Sequence, residues 1–506
     1  MKILSAEQTR AADQYTIKYL PIASTELMEK ASSAFVTQFI LLYPNRCNVI
    51  VFSGSGNNGG DGLAISRLLQ SRGYNVSTFI VRKPGSALSP DAEINYQQLN
   101  EVGVTIQELW DTALPEIKGG VIIDAIFGSG LNRAAGGYYA TCINHINRLG
   151  AEVVSVDIPS GLFAEHSASP EDIVIRATHT ISFQLPKLSF LFAEHEPYVG
   201  KWWVVDIGLS QDFINQTDTP YHYITSDHTD LGIPKRPKHA HKGTFGRSML
   251  VAGSYGKMGA AVLASRACLR GGVGLLTAFI PGCGYPIMQT AVPEAMTLTD
   301  PEDYYLTNFP RAMLESIDSL GIGPGIGTHA LTLQAFDALL TALNDSAVPV
   351  IMDADALNLL SSSASLLKKI PANCLLTPHP GEFARLAGKA NNSEERLSLL
   401  QHFSREHRCH VLLKGAYSAL ADPEGNVYFN STGNPGMSTA GSGDVLTGLL
   451  TALIAQFGDI KKAGIIGMHL HGLAGDRAAE HLSIPSLIAT DIIDHLPVAF
   501  QSIYGR

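Results

Sequence analysis

The feature that most constrains this chain is an alternation that runs through it twice. A short apolar run leads into a glycine- or carboxylate-bearing segment, and then into a stretch with helical spacing. A run that is apolar at nearly every position cannot turn one face to water. It belongs in a sheet covered on both sides, which calls for parallel strands joined by helices. In the first half the runs are 48–52, 75–81, 121–125, 153–156, 178–183 and 202–205. Helical stretches at 60–72 and 137–149 separate some of them, a helix is predicted from Thr25, and Ser5 with Gln8 has the spacing of a capping box.

The pattern lapses into a polar stretch over about 211–243 and then restarts, with strands expected at 247–252, 275–280, 319–321, 348–352, 374–376 and 411–413. Two further runs, 417–421 and 426–429, flank Asp422-Pro423-Glu424-Gly425 as a hairpin would. At 506 residues the chain is too long for one ordinary core. The expected fold class is therefore α/β in two domains, with the polar stretch as linker. A formal charge of −10 argues against a nucleic-acid or anionic-membrane partner. The six cysteines show no C-x-x-C spacing, no apolar run is long enough to span a bilayer, and the first residues turn polar after four positions. These features predict a cytoplasmic chain.

Ser53-Gly54-Ser55-Gly56-Asn57-Asn58-Gly59-Gly60-Asp61-Gly62 follows one strand and opens a helix. Glycines there let backbone N–H groups approach an anion at a helix N-terminus. A dinucleotide-binding dehydrogenase also needs an acidic residue about 20 positions on, and none occurs between Asp61 and Asp91. A P-loop is excluded because no Lys-Ser/Thr follows the glycines. Asp124, before Phe127-Gly128-Ser129-Gly130, and Asp157, before Ile158-Pro159-Ser160-Gly161, end two other strands. Strand C-termini of a parallel sheet converge on one edge, so Asn58, Asp124, Asp157 and Ser160 are expected around one pocket. Taken singly, each also reads as a cap or turn former.

These three segments together resemble the NAD(P)H-hydrate epimerases over residues 1–215. The resemblance implies a Rossmann-like αβα sandwich and a bound potassium ion held by Asn58, Asp124 and Ser160. It implies that Asn57, Asn58, Gly59, Gly60 and Asp61, then Gly128, Ser129, Gly130, Leu131, Asn132, Arg133 and Ala134, and finally Asp157, line the hydrated cofactor. That substrate carries a hydroxyl on carbon 6, beside the ring nitrogen. Its reversible loss and return would scramble the stereocentre, with Asp157 as acid/base. Lys187 is a lesser candidate, readable equally as a solvated lysine.

The second half carries Gly433-Asn434-Pro435-Gly436-Met437-Ser438-Thr439-Ala440-Gly441-Ser442-Gly443-Asp444 before a helical run. Small residues at a helix start form a backbone anion hole, and a carboxylate beside it can take a hydroxyl proton while the hole stabilises a transferring phosphoryl group. The plain alternative for Asp444 is a helix cap. Gly321-Ile322-Gly323-Pro324-Gly325, Asp353-Ala354-Asp355-Ala356-Leu357, Thr377-Pro378-His379-Pro380-Gly381-Glu382 and Lys414-Gly415 end other strands. His379 alone reads more readily as a packed histidine, but its strand-end position beside Glu382 counts against that. His239, His241, His469 and His471 are spaced at i, i+2, and on a helix the last two face different ways.

This set resembles the ribokinase-like NAD(P)H-hydrate dehydratases over residues 228–500. The resemblance implies a ribokinase-like αβα domain, with Gly325, His379 and Asp444 on the hydrate. Lys414, Gly415, Ala416, Tyr417, Ser418 and Gly443 would hold the adenine nucleotide, with Mg²⁺ and with ADP as co-substrate. Asp444 would deprotonate the hydroxyl, and phosphorylation would turn it into a leaving group that the ring nitrogen expels. One domain would then epimerise the R and S hydrates of NADH and NADPH (NADHX and NADPHX), while the other dehydrates the S form. The resemblance also implies a homo-oligomer. The alternative is a ribokinase-like small-molecule kinase fused to a non-catalytic nucleotide-binding module.

Overall fold

The computed structural model describes residues 1–111, 113–117, 119–226 and 236–504. The chain divides into two compact units, one of Lys2–Tyr221 with Asn392–Glu394 and one from His222 onward. The expected linker at 211–243 is not featureless: Gln211–Gln216 is helical and Tyr221–Ile224 is a strand, while 227–235 lie outside the described residues.

The first unit is built on a sheet of seven strands: β1 (Asn48–Ser53), β2 (Asn75–Val81), β3 (Thr105–Leu109), β4 (Val121–Ala125), β5 (Glu152–Val156), β6 (His179–Phe183) and β7 (Lys201–Val205). Their order is β3-β2-β1-β4-β5-β6-β7, and every pairing is parallel. The order reverses direction beside β1, so β1 and β4 flank the crevice where doubly wound sheets bind ligands. Alternation along β1 explains its unbroken apolarity. Val49 and Val51 join the core with Phe35, Phe39 and Leu63, whereas Ile50 and Phe52 join another with Ile122, Tyr138 and Ile143. The predicted capping box is present: Ser5 Oγ accepts from Gln8 N at 3.1 Å and Gln8 Oε1 from Ser5 N at 3.0 Å, opening the helix Ala6–Tyr19.

The second unit holds β8 (Tyr221–Ile224), β9 (Arg247–Val251), β10 (Leu275–Ile280), β11 (Met296–Thr299), β12 (Ser319–Ile322), β13 (Val350–Met352), β14 (Cys374–Leu376), β15 (His410–Leu413), β16 (Ala419–Ala421) and β17 (Val427–Asn430). They form one sheet in the order β11-β10-β9-β12-β13-β14-β15-β16-β17-β8. It is parallel from β11 to β15, and β15, β16 and β17 are antiparallel. The turn at Asp422–Gly425 joins β16 to β17, with Gly425 N donating to Asp422 O at 2.9 Å. At the centre of this unit the helix Ser442–Phe457 is buried along most of its length. Gly448 lies against the backbone of Ala264 in the helix Met258–Arg270, where a Cβ would clash, so that contact requires glycine. Among the described residues no helix is long and apolar enough to cross a membrane.

Candidate active sites

In the first unit the carboxyl edge of the sheet opens into a cavity of about 1120 Å³. Asn57, Asn58, Asp61, the run from Gly128 to Ala134, and Asp157 all line it. Gly59 and Gly60 lie beneath instead. A Cβ on Gly59 would overlap the Gly54 carbonyl, and one on Gly60 would press on the Met28 side chain. The glycines thus let the loop fold onto itself and leave Asn57, Asn58 and Asp61 facing the ligand space.

Asp124 and Ser160 are fully buried just below the cavity. One Asp124 carboxylate oxygen accepts from Ser160 N and from Ser155 Oγ, each at 2.8 Å, and the other accepts from Ser160 Oγ. Ser160 Oγ in turn accepts from Phe127 N at 2.8 Å, and the Phe127 carbonyl accepts from Asn58 Nδ2 at 3.0 Å. Asn58, Asp124 and Ser160 therefore meet around Phe127, gathering carboxylate, hydroxyl and main-chain carbonyl oxygens, with the Asn58 amide nitrogen turned to that carbonyl. Burial pushes the Asp124 carboxyl up, against the pull of its Ser160 and Ser155 donors.

Lys187 is not the solvated lysine it could have been. Its side chain is 3% exposed, and Nζ donates to Asp157 Oδ1 at 2.7 Å and to Ser182 Oγ at 3.0 Å. Phe183 N also donates to Asp157 Oδ1, at 3.1 Å. Asp157 has φ +63° and Gln184 φ +59°, left-handed conformations that cost non-glycine residues energy and gather at functional sites. The capping box pointed to the helix Ala6–Tyr19 but not to a place in the site, yet Thr9, Arg10, Asp13, Gln14 and Ile17 line the same cavity along one helical face. Burial first, and then the nearby Asp157, push the Asp13 carboxyl up to about 6. Burial and Asp157 also drive Asp61 well above the usual carboxylate range.

In the second unit Asp444 stands in the first turn of the helix Ser442–Phe457, whose N-cap, Gly441, is left-handed at φ +89°. Gly443 faces Lys414 and Asp353, whose Nζ and Oδ2 atoms would lie 3.2 and 3.5 Å from a Cβ placed there. Lys414 Nζ donates to Asp353 Oδ1 at 2.8 Å and has Glu382 Oε2 at 4.0 Å. Thr447, one turn beyond Gly443, donates to Asp353 Oδ2 at 2.7 Å. Burial and the negative charge of Asp353 push the Asp444 carboxyl up to about 6, Lys414 pulling the other way.

His379 is not a packed histidine either. Its side chain is 52% exposed. It caps the helix Pro380–Ala387, with Nδ1 accepting from Gly381 N at 3.0 Å while Glu382 Oε2 accepts from His379 N at 2.9 Å. Lys414 N donates to Pro378 O at 2.9 Å, which sets the His379 turn beside the Lys414 turn. Gly415 and Ser418 close the latter, Ser418 Oγ donating to Gly415 O at 3.1 Å, and Ala416 and Tyr417 lie between them. Gly325 sits in a left-handed turn at φ +65°, its carbonyl accepting from Ser254 Oγ at 2.7 Å. Asp355 ties this turn down by accepting from Gly327 N at 2.9 Å and Lys257 Nζ at 3.1 Å. A single residue, Ala354, strained at φ +48°, joins Asp355 to Asp353. Thr447 and Lys257 escaped the sequence reading, although both lie within four residues of glycine-rich turns. His469 and His471 are buried in the helix Ile460–His481, and His471 Nε2 lies 3.0 Å from Ser442 O. Among the described residues no cluster of three His, Cys, Asp or Glu side chains could hold a metal.

The sequence profile described as NAD(P)H-hydrate dehydratase matches residues 248–498, and that described as YjeF-related protein N-terminus matches residues 24–189. The bifunctional NAD(P)H-hydrate repair enzyme Nnr of Moorella thermoacetica is 35% identical over 520 residues, covering 99% of this chain and 97% of its own. The enzyme of the same name from Escherichia coli is 30% identical, covering 97% of this chain and 92% of its own. A solved ribokinase-like superfamily protein from Enterococcus faecalis is 28% identical with a TM-score of 0.50, over 57% of this chain and 98% of its own. Matches of that identity along almost the whole length, in both halves, place this chain in the bifunctional NAD(P)H-hydrate repair enzymes, an epimerase domain joined to a dehydratase domain.

Proposed function

We propose that the cavity of the first unit interconverts R and S NAD(P)H hydrates and that the Asp444 site dehydrates the S form with ADP. The observation that carries the second assignment is Asp444 itself: a half-buried carboxyl in the first turn of a helix, with Gly443 and Lys414 beside it. A carboxyl near 6 is largely ionised at neutral pH and still basic enough to take the proton of a substrate hydroxyl. The backbone N–H groups of the helix start and the Lys414 ammonium stabilise the phosphoryl group as it moves to that hydroxyl. Asp353, bound to Lys414 and Thr447, holds the ammonium in place. In this reading residues 414–418 and Gly443 bind the nucleotide, and Gly325 and His379 bind the hydrate. Mg²⁺ is commonly held by one or two carboxylates together with substrate phosphates. Asp353 and Glu382, gathered around Lys414, are the groups that would hold it, and the ion neutralises phosphate charge when bound.

In the first unit Asp157 is the acid/base, oriented by Lys187, Ser182 and Phe183. The oxygen set around Phe127 suits a hard monovalent cation, and Asn58, Asp124 and Ser160 are the residues that would hold K⁺. Such an ion supplies fixed positive charge beside the pocket. The six free cysteines support a reducing, cytoplasmic setting. The exposed edge strand β11, with Met296 and Leu298 open to solvent, supports association into a homo-oligomer.

The test is to give the protein a mixed-epimer NADHX sample with Mg²⁺, K⁺ and either ADP or ATP, and to follow NADH absorbance. Complete conversion of both epimers is expected, faster with ADP. Conversion that stops when the S form is spent, apart from slow spontaneous exchange, refutes the epimerase assignment. No NADH with either nucleotide refutes the dehydratase assignment. Replacing K⁺ by Li⁺ should slow epimer exchange and leave dehydration of pure S hydrate unchanged.

A further inference from the structure

The cavity of the first unit has ionisable groups on two walls of different origin. Asp157 and Lys187 come from the strand ends, joined as an ion pair at 2.7 Å. Arg10 and Asp13 come from the helix Ala6–Tyr19, which is not part of the sheet or its crossovers. That helix is fixed rather than loosely laid on. Its capping box sets the start, Ala6 N donates to Glu165 Oε1 at 2.6 Å, and Thr16 Oγ1 accepts from Ser210 N at 2.9 Å. Arg10 reaches across to the 128–134 loop, its guanidinium 3.1 Å from the position a Cβ on Gly130 would take.

Epimerisation at carbon 6 must remove oxygen from one face of a ring and return it to the other. One stationary carboxylate addresses one face. Two carboxyls entering from different walls address both, and the two differ in state: Asp157 is paired with an ammonium, whereas Asp13 has no ion-pair partner among the described salt bridges. We propose that Asp13 is the second catalytic residue of the epimerase, an acid working opposite the Asp157 base. This rests on the epimerase reading of the cavity.

The step balances without any co-reactant. On the Asp13 face the C6–O bond breaks, the oxygen keeps the bonding pair and takes the Asp13 carboxyl proton, and water leaves. The ring-nitrogen lone pair meanwhile forms the N=C6 double bond. On the Asp157 face a water oxygen forms a new C6–O bond, and its proton passes to the Asp157 carboxylate. The N=C6 pair returns to nitrogen as its lone pair. Each inversion moves one proton from Asp13 to Asp157. The opposite inversion, or exchange with solvent through the open cavity, moves it back. A carboxyl held near 6 by burial and by Asp157 keeps a usable protonated fraction at neutral pH. The charged groups that set it are Asp157 and Lys187 at the sheet edge and Arg10 on its own helix, and Asp61 on the helix Asn57–Ser71 and Arg133 on the loop line the same cavity.

The test uses the full chain without nucleotide, starting from pure R hydrate and following the epimer ratio by chromatography from pH 5 to 8.5. Wild type should lose rate as pH rises above about 6, because the acid form of Asp13 is consumed. Asp13→Asn should slow exchange by about 10²-fold or more and remove that pH limb, and Asp13→Glu should restore much of the rate together with the limb. Melting followed by tryptophan fluorescence checks that each variant is folded. Exchange by Asp13→Asn within threefold of wild type overturns the proposal, and so does a slowed Asp13→Asn that keeps the limb. A wild-type chain that fails to outpace spontaneous exchange overturns the epimerase reading itself, and the proposal with it.

Discussion

Replacing Lys187 by methionine isolates the energetics of the buried pair that shapes the first cavity. Lys187 and Asp157 side chains are 3% and 11% exposed. Besides Asp157 and Ser182, Lys187 Nζ lies within reach of Leu185 O at 3.3 Å and Phe183 O at 3.4 Å, so all its donors are engaged inside the protein. Methionine fills similar space but leaves Asp157 with only Phe183 N at 3.1 Å and Ser182 Oγ at 3.3 Å as donors. Removing one member of a buried ion pair costs about 3–5 kcal/mol, chiefly through the charge left behind. For a unit of this size, about 2–4 °C per kcal/mol gives a fall in Tm of about 6–20 °C. The assay is selective by composition. The chain has three tryptophans, Trp110, Trp202 and Trp203, all in the first unit, so tryptophan fluorescence follows that unit alone. The double variant Lys187→Met with Asp157→Asn should recover much of the loss, since no charge is then stranded. A Lys187→Met melt within about 2 °C of wild type, or a double variant no more stable than the single one, refutes the reasoning.

Dehydration of S hydrate should fall tenfold per pH unit below about 6, where Asp444 becomes protonated, and level off above it; Asp444→Asn should lose at least about 10²-fold, both measured from NADH absorbance. Gly59→Ala drives a Cβ into the Gly54 carbonyl, so the fluorescence-reported unit should melt earlier and epimer exchange should fail while S hydrate is still dehydrated. Thr447→Val leaves Asp353 Oδ2 buried with one donor fewer, a loss of about 1–3 kcal/mol, and should raise the KM for nucleotide by freeing Lys414, whereas Thr447→Ser should behave as wild type.

Most of the sheet could be read from the chain because its strands are covered on both faces and so are apolar throughout. The strands that escaped are edges. β3 (TIQEL) and β11 (MTLT) are largely exposed, and β8 (YHYI) closes the far side of the second sheet inside the stretch taken as linker. An edge strand exposes one side and needs no apolar run. The pockets divide in the same way. Groups at strand ends carry motifs because backbone geometry restricts them: Asn58 beside glycines, Asp157 before Pro-Ser-Gly, Asp444 after Gly-Ser-Gly. Lys187 and Asp13 sit among ordinary residues, where nothing local marks their burial. A lysine becomes a buried partner only when the turn at Gln184–Leu185 folds it onto Asp157, and an aspartate on an amphipathic helix looks like any solvated one. Their roles follow from tertiary placement alone.

Each unit closes its own core, yet one ribosome makes both in a single pass. Every chain therefore delivers one copy of each pocket, and no change in expression can alter that ratio. Where one pocket feeds the other through an equilibrating pair of isomers, the slower of two per-chain rate constants limits clearance at any protein concentration. Selection can then relieve the bottleneck only by changing residues in the slower pocket, not by making more of one partner.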